Sequence, residues 1–116
     1  MIIPVSELIA SAKLQCNCID QVAAKIFFDQ HDDAVIIDVR EPREAEESRL
    51  TDSINIPRGL LEMKITDVCE APDIPILIHC ASGGRASLSA NTLQIMGYSI
   101  VHVIDAKFDD IKSVFG

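Results

Sequence analysis

Cys80 and Arg85 are separated by four small residues, Ala81, Ser82, Gly83 and Gly84. A cysteine reacts as its thiolate, and a thiolate needs an electropositive setting. A short glycine-rich loop can supply one, because glycine lets the backbone turn its N–H groups inward without clashing side chains. A helix that starts just after the loop adds unpaired amides and the positive end of its dipole. The flanking sequence meets that condition. Pro75-Ile76-Leu77-Ile78-His79 reads as a short buried strand, and Leu88, Ala90, Leu93, Ile95 and Met96 read as an apolar helix closed by Gly97. The chemistry this pattern suits is nucleophilic sulfur chemistry at Cys80, with residues 81–85 as the cradle for an anion.

The bulk of the chain narrows the setting. A length of 116 residues predicts one domain with a real core. Hydrophobic residues at 48% and charged residues at 24% mark an ordinary globular chain. Eighteen acidic against ten basic residues give a net charge of −8, which argues against nucleic acid and anionic membranes as partners. Any anion site must then work by local geometry. No apolar run approaches the roughly 18 residues a membrane span needs. Met1-Ile2-Ile3-Pro4-Val5 lacks the basic start and apolar core of a secretory signal, so a cytoplasmic protein is expected. The cysteines at 16, 18, 69 and 80 form no CxxC pair and no alternation with histidine that suits zinc; no metal is expected. Cys16 and Cys18 share one face of a strand. They read as small buried core residues, with a resolving thiol for Cys80 or a redox pair as the sharper alternative. Cys69 reads as buried.

These residues must be positioned by the rest of the chain. Val5 to Leu14 reads as a helix with Val5, Leu8, Ile9 and Ala12 on its apolar stripe, and Gln15 to Ile19 as a short strand. Asp20 caps a helix from Gln21 to Gln30 with Val22, Ala23, Ile26 and Phe27 facing in. His31-Asp32-Asp33 is a turn with His31 solvated. Ala34 to Val39 is an apolar run suited to a strand buried on both faces of a parallel sheet. Arg40 to Glu47 reads as a charged, mostly helical, solvated segment. Ser53 to Ile56 is a strand, Gly59 to Val68 a helix, Tyr98 to Ile104 the last strand and Asp105 to Phe115 a closing helix. The alternation predicts an α/β fold with a mostly parallel sheet, in which ligands sit beyond the carboxyl ends of the strands. Cys80 is at one such end and Asp38-Val39-Arg40 at another. His79 and Cys80 are adjacent on a strand and point to opposite faces, so His79 reads as structural. His102 alternates with buried valines and faces the opposite layer or solvent.

In these stretches the chain resembles the single-domain rhodaneses, of the sulfurtransferase family. Ile37-Asp38-Val39-Arg40-Glu41-Pro42, Ile54-Asn55-Ile56-Pro57, Cys80-Ala81-Ser82-Gly83-Gly84-Arg85 and Met96-Gly97-Tyr98 resemble four family motifs in the family's order. The resemblance implies a three-layer sandwich, a mostly parallel central sheet with helices on both faces. Residues 19–116 would be the core, and residues 1–18 an N-terminal helix and short strand. It implies that Cys80 takes a sulfane sulfur from thiosulfate or a persulfide, holds it as a persulfide, and passes it to a thiol or cyanide-like acceptor. A sulfur-carrying protein is a further candidate partner, and no cofactor is implied. Ala81, Ser82, Gly83, Gly84 and Arg85 would bind substrate. Arg85 would either brace the loop against the body of the protein or contact an anionic donor. Asp38 and Arg40 would support the site, Asp38 by bonding loop amides and Arg40 by pairing with carboxylates in the segment after it. The chain departs from the family at Ser48 to Ser53, at Ala106-Lys107 and at Ile111, all outside the active loop. Neutral Ala81 and Ser82 stand where some thiosulfate-using members carry a basic residue.

Two other readings compete. His-Cys-x(n)-Arg also describes cysteine phosphatases, but their loops carry one residue more, and no separate aspartate general acid is evident. A regulatory or binding module could keep the fold without catalysis.

Overall fold

The computed structural model describes residues 1–116. In chain order it runs α1 (Val5–Gln15), β1 (Asn17–Ile19), α2 (Gln21–Gln30), β2 (Val35–Asp38), α3 (Pro42–Glu47), β3 (Ser53–Asn55), a 3-10 turn (Arg58–Leu60), α4 (Leu61–Val68), β4 (Ile76–His79), α5 (Gly84–Met96), β5 (Val101–Ile104) and α6 (Phe108–Phe115). The five strands form one sheet in the order β1-β5-β4-β2-β3, and every pairing is parallel. The expected α/β sandwich is present, and its sheet is parallel throughout. Strands β2 and β4 lie side by side at the centre, in the register Ile37 to Ile78 and Asp38 to His79. Their apolar runs have helices to cover them on both faces, as a fully parallel sheet requires.

Alternation along the strands divides the core in two. Ile37, Ile76, Ile78, Cys80, Val101 and Val103 pack with Leu61 and Ile65 of α4 and with Ala86, Ala90 and Leu93 of α5. On the other face, Ile36, Leu77 and Ile104 pack with Ala24 of α2, Ile111 of α6 and Leu50. Cys80 and His79 therefore fall into different layers. Helix α1 lies outside this frame and packs along α5. No helix is long and apolar enough to cross a membrane.

Several faces differ from the expectation. In α2, Ala24, Phe27 and Phe28 turn inward, while Val22 and Ile26 are exposed. An i, i+3, i+4 set one position over fits the groove against α6, where Phe28 meets Phe115. In α1, Ala12 is buried but Val5 and Leu8 are exposed, because α5 is its only large neighbour. The last strand starts at Val101, three residues later than expected. Tyr98 and Ser99 spend their amides on Leu93 and Pro72 carbonyls, which closes the end of α5 and leaves nothing for the sheet. His31 is half-buried and held: it stacks on Phe27 at 4.0 Å, and its Nδ1 lies 2.8 Å from the Phe27 carbonyl. His102 sits in the α2 layer, edge-on to Phe27 at 4.7 Å.

Candidate active site

Helix α5 begins at Gly84, and the residue before it, Gly83, has φ +103°. A left-handed residue is needed there to swing the chain out of the strand end and back into a helix, and glycine takes that conformation without a Cβ clash. The turn folds the loop around Cys80, whose side chain is almost wholly covered. The Gly83 amide donates to Cys80 Sγ at 3.1 Å and the Ala86 amide at 3.4 Å. Gly83 is the N-cap of α5 and Ala86 lies in its first turn, so the sulfur lies at the positive end of a 13-residue helix. The loop is closed behind by Ser87, whose Oγ and amide both donate to the Gly83 carbonyl, at 2.6 and 2.9 Å.

The loop is held from three sides. Arg85 makes a two-pronged bond to Glu44 of α3, at 2.7 and 3.1 Å. That pairing holds the Glu44 carboxyl at a pKa of about 2, below its ordinary 4.5. On the opposite side, Ala81 offers its carbonyl to the Phe108 amide at 2.9 Å, tying the loop to the start of α6. The third side is α1. A Cβ on Gly84 would come within 2.9 Å of Ile9, and one on Gly83 within 2.5 Å of Asp105 Oδ1. Asp105 in turn accepts from Lys13 Nζ at 3.1 Å.

Asp38 and Arg40 form a buried unit at the end of β2. Asp38 accepts from the Arg40 amide at 3.0 Å and from its Nε and Nη2 at 3.0 and 2.8 Å. One carboxylate oxygen thus takes the amide of its own segment and not one of the loop around Cys80. Arg40 does not pair with the carboxylates that follow it. Its guanidinium folds back onto Asp38, donates to the Ser48 carbonyl at 2.8 Å, and stacks 3.9 Å over the Phe108 ring. A buried guanidinium needs an equally buried countercharge, and the carboxylates of α3 lie at the surface. The same Phe108 stacks near His79, at 5.8 Å between centroids. Burial pushes the His79 pKa down and keeps the ring neutral, against the pull of Asp38.

Cys16 and Cys18 face the same way, with their sulfurs 3.9 Å apart, but both are half-buried rather than core residues. Cys16 donates to the Ala12 carbonyl, and burial and the neighbouring Cys18 push its thiol up to about 12. It stays protonated near neutral pH and is a poor attacking group. Cys69 is buried, as expected. None of the three surface clefts is lined by residues 80–85.

Glu44, Phe108, Lys13 and Asp105 were not singled out by the sequence. Glu44 had a signal, since Glu41 and Glu44 form a reciprocal capping box at the start of α3. Lys13 and Asp105 had none: they are 92 positions apart and meet only because β1 and β5 are neighbours.

The family model for the rhodanese-like domain matches residues 20–113. The chain belongs to the rhodanese-like family. Among curated relatives, it is 31% identical over 75 residues to YrkF of Bacillus subtilis, provisionally named a sulfur carrier protein, covering 64% of this chain and 40% of that one. It is 26% identical over 70 residues to a protein of Allochromatium vinosum named sulfurtransferase, covering 60% of this chain and 64% of that one. The chain thus spans less than two thirds of either relative. Among solved structures, a Rhodopseudomonas palustris protein of unknown function, described as a possible tyrosine phosphatase, superposes with a TM-score of 0.85 at 25% identity. That match covers 100% of this chain and 94% of the other, so it includes α1.

Proposed function

We infer that this chain is a sulfurtransferase that carries a sulfane sulfur on Cys80. The observation that carries the reading is the placement of Cys80 Sγ under the Gly83 and Ala86 amides, at the start of α5. Those donors favour negative charge on the sulfur, and the positive end of α5 extends the same field to the outer sulfur of a persulfide anion. In the first half-reaction the Cys80 thiolate attacks the outer sulfur of the donor. The donor's own bond to that sulfur breaks, and its electron pair leaves as sulfite from thiosulfate or as a thiolate from a persulfide. In the second, a thiol or cyanide-like acceptor attacks the outer sulfur of the Cys80 persulfide and the thiolate is restored. Sulfur handling is also in the names of two relatives. A reducing cytoplasmic setting suits four free cysteines. A sulfur-carrying protein is a fitting acceptor, because Ser82 at the tip of the loop is exposed.

The description of the Rhodopseudomonas protein gives one ground for a phosphatase. Against it, only four residues separate Cys80 from Arg85, and Arg85 is committed to Glu44 and not turned over the loop. A cradle of that length suits a single sulfur better than a tetrahedral phosphate.

Intact mass spectrometry after exposure to thiosulfate or a persulfide is expected to show a gain of one sulfur, about 32 Da, removed by thiol or cyanide. The gain should vanish in Cys80→Ser. Turnover of a phosphate ester that depends on Cys80, without sulfur uptake, would replace this reading with the phosphatase one. A gain that persists in Cys80→Ser would move the site to Cys16 and Cys18.

A further inference from the structure

His79 is wholly buried, on the face of the sheet opposite the sulfur, and each of its ring nitrogens faces an oxygen. Nδ1 lies 3.2 Å from the Cys80 carbonyl, and Nε2 lies 4.0 Å from Asp38 Oδ2 with no hydrogen-bond partner. A neutral imidazole carries one N–H, and its other nitrogen is a bare acceptor. A proton on Nε2 would set the Nδ1 lone pair against the carbonyl oxygen at 3.2 Å, acceptor facing acceptor. No bond would form in return, because 4.0 Å is beyond hydrogen-bond reach and Asp38 is already served by three donors of Arg40. A proton on Nδ1 makes the bond to the carbonyl and leaves Nε2 bare. That carbonyl receives no backbone amide, so His79 is its one donor. A buried carbonyl left unpaired costs free energy comparable to a lost hydrogen bond.

Resting on the sulfurtransferase reading, we propose that His79 is the positioning residue of the active loop, its Nδ1–H tautomer holding the Cys80 carbonyl and through it the peptide on which the sulfur cradle turns. The chain leaves β4 at Cys80, and two successive carbonyls fix its exit. His79 holds the Cys80 carbonyl, and the Phe108 amide holds the Ala81 carbonyl from the start of α6. The two anchors brace one another: the His79 and Phe108 rings stack at 5.8 Å, and the Arg40 guanidinium covers Phe108 at 3.9 Å. With both carbonyls drawn to that stack, the amides that follow are left to turn toward Cys80 Sγ, as those of Gly83 and Ala86 do. From the opposite face of the sheet, His79 acts on the reaction only through the backbone of the residue that performs it. A misplacement of about 1 Å at a reacting atom can lower a rate about a hundredfold, so a bond made behind the sulfur bears on the chemistry in front of it.

The first test is spectroscopic. A long-range proton–nitrogen correlation spectrum of nitrogen-15-labelled wild type near neutral pH should show His79 protonated on Nδ1 and bare on Nε2; the opposite tautomer overturns the proposal, whatever any variant does. The second test compares His79→Asn, whose amide nitrogen stands where Nδ1 stood, with His79→Gln, whose amide reaches instead to the Nε2 position. For each, the denaturation midpoint is measured beside two rates at Cys80: sulfur uptake from cysteine persulfide and alkylation by iodoacetamide, followed on the Cys80 peptide by mass spectrometry. Both variants should lose stability. His79→Gln should lose about tenfold or more in both rates, while His79→Asn stays within about threefold of wild type. Rates that fall alike in the two variants, or that simply follow the midpoints, overturn the positioning role and leave the sulfurtransferase reading standing. A wild type whose Cys80 is alkylated but takes no sulfur overturns that reading instead, and the alkylation rates and the tautomer still decide whether His79 holds the loop.

Discussion

Gly83 carries more of the site than any other single residue, because it performs three tasks with one backbone unit. It turns the chain at φ +103°, donates to the sulfur, and leaves room for Asp105. A left-handed conformation costs an L side chain about 1–2 kcal/mol, and a methyl here would also meet Asp105 Oδ1 at 2.5 Å. Gly83→Ala is therefore expected to lower stability by at least that amount in a urea titration. Sulfur uptake should fall further than stability, since the displaced loop would lose its amide bond to Cys80. Gly97 also has a positive φ, but open space surrounds it. Gly97→Ala should bring the conformational cost alone and leave sulfur uptake intact, which separates the two contributions.

At the scale of elements, the loop is only as rigid as the strand ends and helix starts that brace it. Asp38 at the end of β2 and Arg40 just beyond it are both buried, and Phe108 at the start of α6 stacks on Arg40 while its amide holds Ala81. Removing one partner of a buried ion pair leaves the other uncompensated, at a cost of about 3–5 kcal/mol. Asp38→Asn should show a loss of that order in chemical denaturation. The double variant Asp38→Leu, Arg40→Met should lose less than the single one, since no buried charge is then left alone. Much of this arrangement was readable beforehand. The apolar runs around Ile36 and Leu77 mark central strands, and the spacing from Cys80 to Arg85 marks the loop. The opposite facing of His79 and Cys80 follows from strand geometry alone. What escaped was long-range partner choice. Arg40 has acidic neighbours on both sides in sequence, and only burial decides that Asp38 takes it. Val22 and Ile26 are as apolar as Phe27 and Phe28, so composition leaves the inward face of α2 open by one position, and the groove beside α6 makes the selection.

At the scale of the whole molecule, Glu44 and His79 illustrate how stability follows pH, with Glu62 and His102 shifted in the same respective directions. The Glu44 pKa lies near 2 when folded and 4.5 ordinarily, so the bond to Arg85 stabilises fully above pH 4.5 and is lost as pH falls toward 2. His79 is a base whose pKa burial lowers from 6.5, so its contribution is complete above pH 6.5 and declines below it as the unfolded chain gains the proton first. Acid should therefore weaken the fold in two stages. His79→Phe is expected to shrink the upper stage, leaving the His102 part, and Glu44→Gln the lower, leaving the Glu62 part, in denaturation midpoints collected across pH 7 to 2.

The order β1-β5-β4-β2-β3 places two strands of three residues each at the margins. Parallel sheets are assembled late from distant parts of the chain, so half-built sheets persist long enough to meet one another. A margin only three residues long gives a visiting strand little to zip onto, and Pro57 soon after β3 offers no amide of its own. Strands β2 and β4, the long apolar segments most prone to pair with a stranger, are locked in the interior of the sheet, and mutual repulsion between chains of net charge −8 adds to the protection. The architecture that presents one sulfur to its donors thus also keeps the growing sheet from recruiting copies of itself.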